Sequence, residues 1–296
     1  MLIADAWIDY DLLDIGYGEK LERYGNIILR RPDPQVIWPR AKNELWDDVH
    51  AIYRRSSKGG GGWENLRKIP GKWTVSYKDL KFYIEPTGFK HTGIFPEQAV
   101  NWDFMINKIK NADQVWESGR LKKVKVLNLF GYTGGATVAC AYAGAEVCHV
   151  DAAKAMVQRC SENIKLSGLT DRVVRYITDD VFKFVKRENR RGRKYDAIIM
   201  DPPSYGRGPD GEVWKIEDSL FDVILECQQL LSDDPLFFLI NSYTAGFSPY
   251  VPANMLDLTV NKKYPGDVRC GEIGLMASSS RMILPCGVYG LWQKMP

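Results

Sequence analysis

The sequence predicts an α/β fold: a Rossmann-like, mostly parallel sheet preceded by a small, mostly β N-terminal domain. From about residue 97, short apolar runs alternate with segments of helical spacing, as in parallel strands joined by right-handed crossover helices. Before that point the apolar segments are short, rich in Trp and Tyr, and bounded by Pro, Gly or Asp, which is typical of strands and turns. We therefore predict one domain over 1–96 and a second over 97–296.

The N-terminal domain is predicted from short apolar segments at 26–29, 36–38, 73–77 and 80–84. The tract from Ser56 to Gly62 contains four consecutive glycines. Glycine disfavours regular structure, so this tract is predicted to be a mobile loop.

The second domain is predicted from strands that mostly alternate with helices. Predicted strands lie at 124–130, 146–151, 173–178, 195–201 and 236–240, and predicted helices at 136–142, 152–167 and 220–231. Two final strands, 273–276 and 282–292, are too close together for a helical crossover and are expected to pair antiparallel.

Composition narrows the functional class. The chain has 296 residues, 45% of them hydrophobic, and a net charge of +3, which permits RNA binding without arguing for it. Its six cysteines are scattered without CxxC spacing or a nearby histidine, so no metal site is expected. The N-terminus lacks the pattern of a signal peptide, and no apolar run is long enough to span a bilayer. We expect a cytoplasmic protein that does not associate with membranes.

The strongest motif runs from Val126 to Gly135, where a predicted strand enters a glycine-rich turn and then a helix. Such a turn lets the backbone approach a ligand closely and presents unpaired N–H groups at the helix start. Asp151, twenty positions after Gly131, ends the next strand, where a carboxylate can accept both hydroxyls of a ribose. The glycines at 131, 134 and 135 do not match the G-x-G-x-x-G spacing of dinucleotide sites, so an adenosine-type cofactor other than NAD is predicted.

Two further carboxylates follow the third predicted strand, in Asp179-Asp180-Val181-Phe182. Asp180 is predicted to accept the amino group of an adenine, with the apolar pair covering the base. Asp179 can serve the same site or act as a helix N-cap.

Chemistry is predicted at Asp201-Pro202-Pro203-Ser204-Tyr205, after the fourth strand. Two prolines fix the backbone and remove two N–H donors, which leaves a cluster of acceptors. Such a cluster can bind an exocyclic amino group and direct its nitrogen at a methyl donor, while Tyr205 stacks on the ring. A structural turn at a strand end is the alternative.

These motifs together resemble the class I S-adenosylmethionine-dependent methyltransferases, and in detail the large-subunit (23S) ribosomal RNA base methyltransferases. The matching motifs are the Asn-x-Phe-x-Tyr-Thr-Gly-Gly loop at 128–135, Asp-Asp-Val-Phe at 179–182, Asp-Pro-Pro-x-aromatic at 201–205, and a Thr-Gly-x-Phe-x-x-Gln segment at 92–98. The resemblance covers roughly residues 80–245. It implies a seven-stranded methyltransferase sheet and S-adenosylmethionine as cofactor.

The resemblance also assigns the site residues. The expected cofactor-binding residues are Thr92, Phe95, Gln98, Asn128, Phe130, Gly131, Tyr132, Thr133, Gly134, Gly135, Asp151, Ala152, Asp179, Asp180, Val181 and Asp201. The expected catalytic residues are Asp201, Pro202, Pro203 and Tyr205.

The chain departs from its cytosine-C5 relatives, which use a cysteine after the fifth strand. Here Ile240-Asn241-Ser242-Tyr243-Thr244 contains no thiol, which favours methyl transfer to a nitrogen. Residues 1–85 do not resemble the RNA-binding PUA domain of such relatives. A base of ribosomal RNA is the predicted substrate and partner, while a protein side chain, a small molecule, or a binding protein without catalysis stay open as alternatives. The sequence leaves the oligomeric state open, with a homodimer as one option.

Several charged segments allow two interpretations. The cations from Lys183 to Lys194 could bind RNA phosphates or form a solvated helix face. The arginines between 30 and 55, interleaved with Trp38, Trp46 and Tyr53, could clamp RNA or belong to the core. The stretch Arg207 to Gly211 is predicted to be a flexible lid, and His91 to contact either substrate or a backbone carbonyl.

Overall fold

The computed structural model describes residues 1–56, 60–88, 90–112, 116–117, 120–121, 123–208 and 211–295. The chain forms two compact units. The larger unit contains Met1, Val100–Ile273 and Gly287–Pro296, and the smaller unit contains Leu2–Ala99 and Gly274–Cys286. The segment Gly274–Cys286 thus belongs with the smaller unit, although it lies within the range predicted for the second domain.

The smaller unit is mostly β, as predicted. Its strands are β1 Leu2–Ile3, β2 Tyr10–Gly16, β3 Glu19–Tyr24, β4 Ile27–Pro32, β5 Ala51–Arg55, β6 Gly61–Asn65, β7 Trp73–Tyr77 and β8 Leu80–Ile84. Strands β2 to β6 form one sheet in chain order, antiparallel except between β4 and β5, and β7 pairs with β8.

Two predictions for the smaller unit are wrong. Gly61 and Gly62 begin β6, because pairing with Arg54 and Arg55 of β5 supplies the order that glycine lacks locally; residues 57–59 of the predicted loop lie outside the described residues. The segment 36–38 is not a strand: Ile37 is 87% exposed, and the Val36 and Trp38 carbonyls accept from Gly18 and Tyr17.

A buried ion pair lies at the centre of the smaller unit. The Arg31 guanidinium donates from Nε and Nη2 to the Glu22 carboxylate at 2.6 and 2.7 Å, and the Tyr10 hydroxyl donates to it at 2.9 Å. Burial by itself raises the pKa of Glu22, but the charges of Arg31 and Lys20 outweigh burial and lower that pKa to about 2.

The larger unit contains most of the helices and a seven-stranded sheet. Its strands are β9 Trp116–Glu117, β10 Arg120–Leu121, β11 Lys125–Leu129, β12 Glu146–Asp151, β13 Val174–Thr178, β14 Ala197–Met200, β15 Tyr205–Arg207, β16 Val213–Lys215, β17 Phe237–Ser242, β18 Asp267–Met276 and β19 Ile283–Gln293. The helices are α1 Ala99–Lys110, α2 Gly135–Tyr142, α3 Lys154–Leu166, α4 Val181–Arg190, α5 Ile216–Leu230, α6 Tyr250–Leu258 and α7 Val260–Lys263.

The strand order of this sheet is β18-β19-β17-β14-β11-β12-β13, with β1 beside β18 as an eighth strand, which confirms the predicted fold class. Five strands of this sheet run parallel to one another: β17, β14, β11, β12 and β13. Strand β19 runs antiparallel to β17. Strand β18 is longer than predicted, and β19 has its predicted length shifted by one residue; their adjoining ends, Gly274–Met276 and Ile283–Cys286, belong to the smaller unit.

The central strands of the sheet are buried, and their carboxyl ends mark where the site lies. The central strands β11, β14 and β17 are buried on both faces, so they read as continuous apolar runs. Because parallel strands share a direction, the carboxyl ends of β11, β12, β13, β14 and β17 meet at one edge of the sheet. The residues that follow them include Phe130, Asp151, Asp179, Asp201 and Tyr243.

No helix within the described ranges is long and apolar enough to cross a membrane. Within the same ranges, no group of three or more His, Cys, Asp or Glu side chains is arranged to hold a metal ion.

The Glu22–Arg31 pair generates a stability prediction. In Glu22→Gln the Arg31 guanidinium stays buried without its counter-charge, so unfolding at pH 7 should become easier by about 3–5 kcal/mol. In the wild type the contribution of Glu22 is complete above about pH 4.5 and is lost as the pH falls towards about 2, because the pKa is lowered in the folded state. Denaturant titrations at pH 7 and pH 3 measure both effects.

Glu64→Gln is the matched control. Glu64 also pairs with a cross-strand arginine, Arg54, but the two side chains are 49% and 58% exposed. Its removal should cost less than about 1 kcal/mol. Equal losses in the two variants would contradict a special role for the buried pair.

Candidate active site

The glycine-rich turn connects β11 to α2 in a strained conformation. Phe130 and Tyr132 have left-handed φ angles of 54° and 49°, which few non-glycine residues adopt. The Gly131 N–H donates to the Val150 carbonyl at 3.0 Å, and the Tyr132 N–H donates to Asp151 Oδ2 at 2.8 Å. The turn is therefore held by β12, the neighbouring strand.

Contacts with protein groups explain the glycines of this turn. A Cβ atom at Gly131 would collide with the His149 ring, one at Gly134 with the Cys160 side chain, and one at Gly135 would lie 2.8 Å from the Trp102 ring. Gly134 also has a φ of 85°. The sequence prediction attributed the glycines to close approach of a ligand; packing inside the protein already requires them.

A buried polar cluster lies beneath the turn. Asn128 on β11 faces His149 on β12 in register, and Thr137 Oγ1 accepts from Asn128 Nδ2 and lies 2.9 Å from His149 Nδ1. All three side chains are buried, and burial lowers the pKa of His149 to about 4, so the ring is neutral at pH 7. His149 and Thr137 were not predicted as site residues, because nothing in a single strand or helix shows that they meet.

Asp151 ends β12 with its carboxylate held in place. Its Oδ1 accepts from the Ala153 N–H and its Oδ2 from the Tyr132 N–H, both at 2.8 Å. Burial raises its pKa, and these two bonds offset part of that rise. Each oxygen retains acceptor capacity, so this donor and acceptor set fits the two hydroxyls of a cofactor ribose. Ala152 lies between Asp151 and Ala153, directly after the end of β12.

The N-cap role that was an alternative for Asp179 belongs to Asp180 in the structure. Asp180, not Asp179, is the N-cap of α4: its Oδ1 accepts from the Lys183 N–H at 2.9 Å. Asp179 instead pairs with Arg187 at 2.5 Å. The second carboxylate oxygen of Asp180 and the first N–H groups of α4, at Val181 and Phe182, stay available for an adenine.

The Asp201–Tyr205 segment forms a second turn at the same sheet edge, after β14. The Asp201 N–H approaches the Leu129 carbonyl at 3.4 Å, which places this turn beside the end of β11. The Pro203 carbonyl accepts from Trp214 Nε1 at 2.6 Å, and Ser204 Oγ lies 2.8 Å from Thr244 Oγ1. One of the predicted free acceptors, the Pro203 carbonyl, is therefore already in use.

The predicted flexible lid is wrong for its described part. Tyr205–Arg207 and Val213–Lys215 pair antiparallel as a hairpin, and the Gly208 N–H donates to the Glu212 carbonyl at 2.9 Å. Pro209 and Asp210 lie outside the described residues. Tyr205 is 53% exposed on this hairpin, so its ring is accessible for stacking.

Thr92, Phe95 and Gln98 belong to the smaller unit and stay predictions as cofactor residues. Thr92 and Gln98 are buried and Phe95 is half-buried. His91 lies in the same segment; burial and then the charge of Arg31 lower its pKa to about 4.

Comparisons with known proteins show the family to which the chain belongs. A family model described as S-adenosylmethionine-dependent methyltransferase matches residues 63–218, slightly more than half of the chain. The chain belongs to this family. A crystal structure of a SAM-dependent methyltransferase from Agrobacterium tumefaciens has a TM-score of 0.91 and 34% identity, covering 99% of this chain and 93% of that one. A methyltransferase complexed with SAH shares the fold with a TM-score of 0.73 at 18% identity.

Curated relatives of this methyltransferase include large-subunit ribosomal RNA enzymes. Ribosomal RNA large subunit methyltransferase I of Klebsiella pneumoniae is 37% identical over 204 residues, which are 64% of this chain and 48% of that protein. Ribosomal RNA large subunit methyltransferase K of Neisseria meningitidis is 24% identical over 258 residues, 80% of this chain and 69% of that protein. The chain thus spans about half the length of the methyltransferase I relative.

The basic segment of this methyltransferase at 183–194 is mostly paired within the protein. Arg187 pairs with Asp179, Arg191 with Glu188, Lys183 with Glu212, and Lys194 donates to the Gln229 carbonyl. The structure favours the interpretation of a solvated helix face over a phosphate-binding surface.

The aromatic and arginine residues of the smaller unit are also engaged internally. Arg30 and Arg40 both pair with Glu19, and the Arg40 guanidinium lies 3.9 Å from the centroid of the buried Trp46 ring. These contacts favour the interpretation that the residues belong to the core over the interpretation that they clamp RNA.

Asp151→Asn tests the cofactor site. The amide has one acceptor oxygen instead of two and would set its NH₂ group against a backbone N–H or a ribose hydroxyl, so S-adenosylmethionine should bind at least about tenfold more weakly. Calorimetric titration of the cofactor measures this. Asp171→Asn, at a carboxylate 73% exposed, is the control and should bind as the wild type does; equal affinity in all three proteins would remove Asp151 from the site.

Proposed function

We propose that this methyltransferase transfers a methyl group from S-adenosylmethionine to a nitrogen of a base in ribosomal RNA. The observation that carries the proposal is the Asp201–Tyr205 turn, which lies at the carboxyl end of β14 beside the cofactor turn that follows β11. The similarity to ribosomal RNA large subunit methyltransferases supports the choice of substrate. An enzyme with this substrate would work in the cytoplasm, where ribosomes are.

The cofactor, when bound, supplies an electrophilic methyl group. Asn128, Gly131, Thr133 and Gly134 would hold its methionine end, as the family resemblance implies, with Phe130, Tyr132 and Gly135 completing that turn. The Thr133 carbonyl accepts from Asn163 Nδ2 at 2.9 Å, so the far end of the turn is also fixed. Asp151 would bind the ribose, and Asp180 with Val181 the adenine.

The acceptor turn would select and orient the nitrogen. An amino group that donates to the Asp201 carboxylate and the Pro202 carbonyl has its lone pair directed away from both, towards the methyl donor. As the new N–C bond formed, the bond from the methyl group to the cofactor sulfur would break and leave a neutral thioether. The nitrogen would give up a proton, and the Asp201 carboxylate is the base within this turn. Tyr205 would stack on the ring that carries the amine.

The residues after β17 favour nitrogen over C5 of cytosine. Methylation at C5 needs a nucleophile that first adds to the base, and a thiolate serves because a Ser or Thr hydroxyl has a far higher pKa. This position holds Ser242 and Thr244, and Thr244 Oγ1 is bonded to Ser204. Positioning alone is sufficient for a nitrogen that already carries a lone pair.

Asp201→Ala tests the proposal directly. Ribosomal RNA from a strain lacking the gene would be incubated with labelled cofactor and enzyme, and its nucleosides analysed by mass spectrometry. We expect an N-methylated nucleoside with the wild type and at least about a hundredfold lower rate with the variant, because the amino group loses its orienting acceptor. Asp222→Ala, at an exposed position on α5, is the control and should react at the wild-type rate.

The labelled product also distinguishes other substrates. Label in cell extract that RNase removes supports the proposal. Label that only protease removes would assign the enzyme to a protein side chain, and label in neither polymer would assign it to a small molecule.

A further inference from the structure

Trp214 on β16 contacts both turns of the active site. Its indole Nε1 donates to the Pro203 carbonyl at 2.6 Å. Its ring centroid lies 4.8 Å from that of Phe130, with an angle of 57° between the planes. The side chain is only 8% exposed and belongs to the main core of the larger unit, against which Phe130 packs. One side chain thus spans from the cofactor turn to the acceptor turn.

The acceptor turn has few other means of attachment. Before the two prolines, the Asp201 N–H contacts the Leu129 carbonyl at 3.4 Å. Pro202 and Pro203 have no N–H group, so beyond Asp201 the turn is held through its carbonyls and the residues that follow. The Pro203 carbonyl accepts from Trp214, the Ser204 carbonyl accepts from the Ile216 N–H at 3.1 Å, and Ser204 Oγ bonds to Thr244. Among these bonds, that of Trp214 acts closest to Pro202.

The cofactor turn also depends on packing at Phe130. A left-handed φ of 54° at this residue costs roughly 1 kcal/mol or more and persists only where the surroundings enforce it. The Trp214 ring supplies such a surface. Within the hairpin, Trp214 lies opposite Gly206 in the β15–β16 register.

We propose that Trp214 is a positioning residue that sets the separation between the turn holding the methyl donor and the turn holding the methyl acceptor. The inference rests on the proposed function, because it assigns those two roles to the two turns. It predicts that loss of the indole N–H slows methyl transfer without weakening cofactor binding. A rate loss follows because in-line transfer depends on sub-ångström placement of the two reacting atoms.

Trp214→Phe removes the N–H and retains an aromatic ring beside Phe130. Trp292→Phe is the matched control: the Trp292 indole N–H donates to the Tyr264 carbonyl at 2.9 Å, its ring also lies near an aromatic ring, and it is 1% exposed in the same unit. Both variants should lower Tm by a similar few degrees. Only Trp214→Phe should lower kcat, by about ten- to hundredfold, with KM for the cofactor within about twofold of the wild type.

Hydrogen exchange of the free enzyme provides a readout that needs no substrate. Peptides covering 203–208 should exchange faster in Trp214→Phe than in the wild type and Trp292→Phe. An unchanged kcat, an equal loss of kcat in both variants, or unchanged exchange in this segment would overturn the proposal.

Failure of the proposed function gives a different result. If the wild type does not methylate ribosomal RNA, that function is wrong. The exchange measurement then decides alone whether Trp214 holds the acceptor turn: faster exchange supports it, and unchanged exchange overturns it.

Discussion

The hydrogen bond from the Tyr132 N–H to the Asp151 carboxylate joins the first turn of the sheet to the end of the neighbouring strand. It holds Tyr132 in a left-handed conformation and at the same time orients the carboxylate that would bind a ribose. The neutral His149 ring and Thr137 fill the space beneath, where any side chain at position 131 would collide. Contacts within the protein therefore hold the turn that is proposed to bind the cofactor, and a preorganised turn reduces the entropy cost of binding.

The acceptor turn is held differently, because its two prolines remove two of its backbone donors. Its position depends on side chains from elsewhere: Trp214 from the hairpin and Thr244 from the segment after β17. The two prolines make the turn stiff, and residues outside the Asp201–Tyr205 motif determine the direction of its carbonyls. Variation in those supporting residues is one way for a family with a common sheet to accept different substrates.

The smaller unit is stabilised in another way. A bidentate Arg31–Glu22 pair is enclosed by two tyrosines, Tyr10 and Tyr24. The Arg30 and Arg40 side chains are also paired within the unit, both with Glu19.

By itself, the sequence determined the sheet and the class of cofactor. Apolar runs and helical spacing are local properties, so β12 was predicted with its observed bounds, and the motifs at 128–135, 179–182 and 201–205 identified the strand ends that matter. Only the tertiary structure decided which side chains serve them. Asp180 rather than Asp179 caps α4, the lid is a hairpin, and Trp214, Thr244 and His149 reach the site from distant positions. The contact of Thr244 joins residues 40 positions apart in the chain, and the pattern of a single segment does not encode such a partner. The N-cap and the hairpin are local, but the residues around them allow more than one conformation.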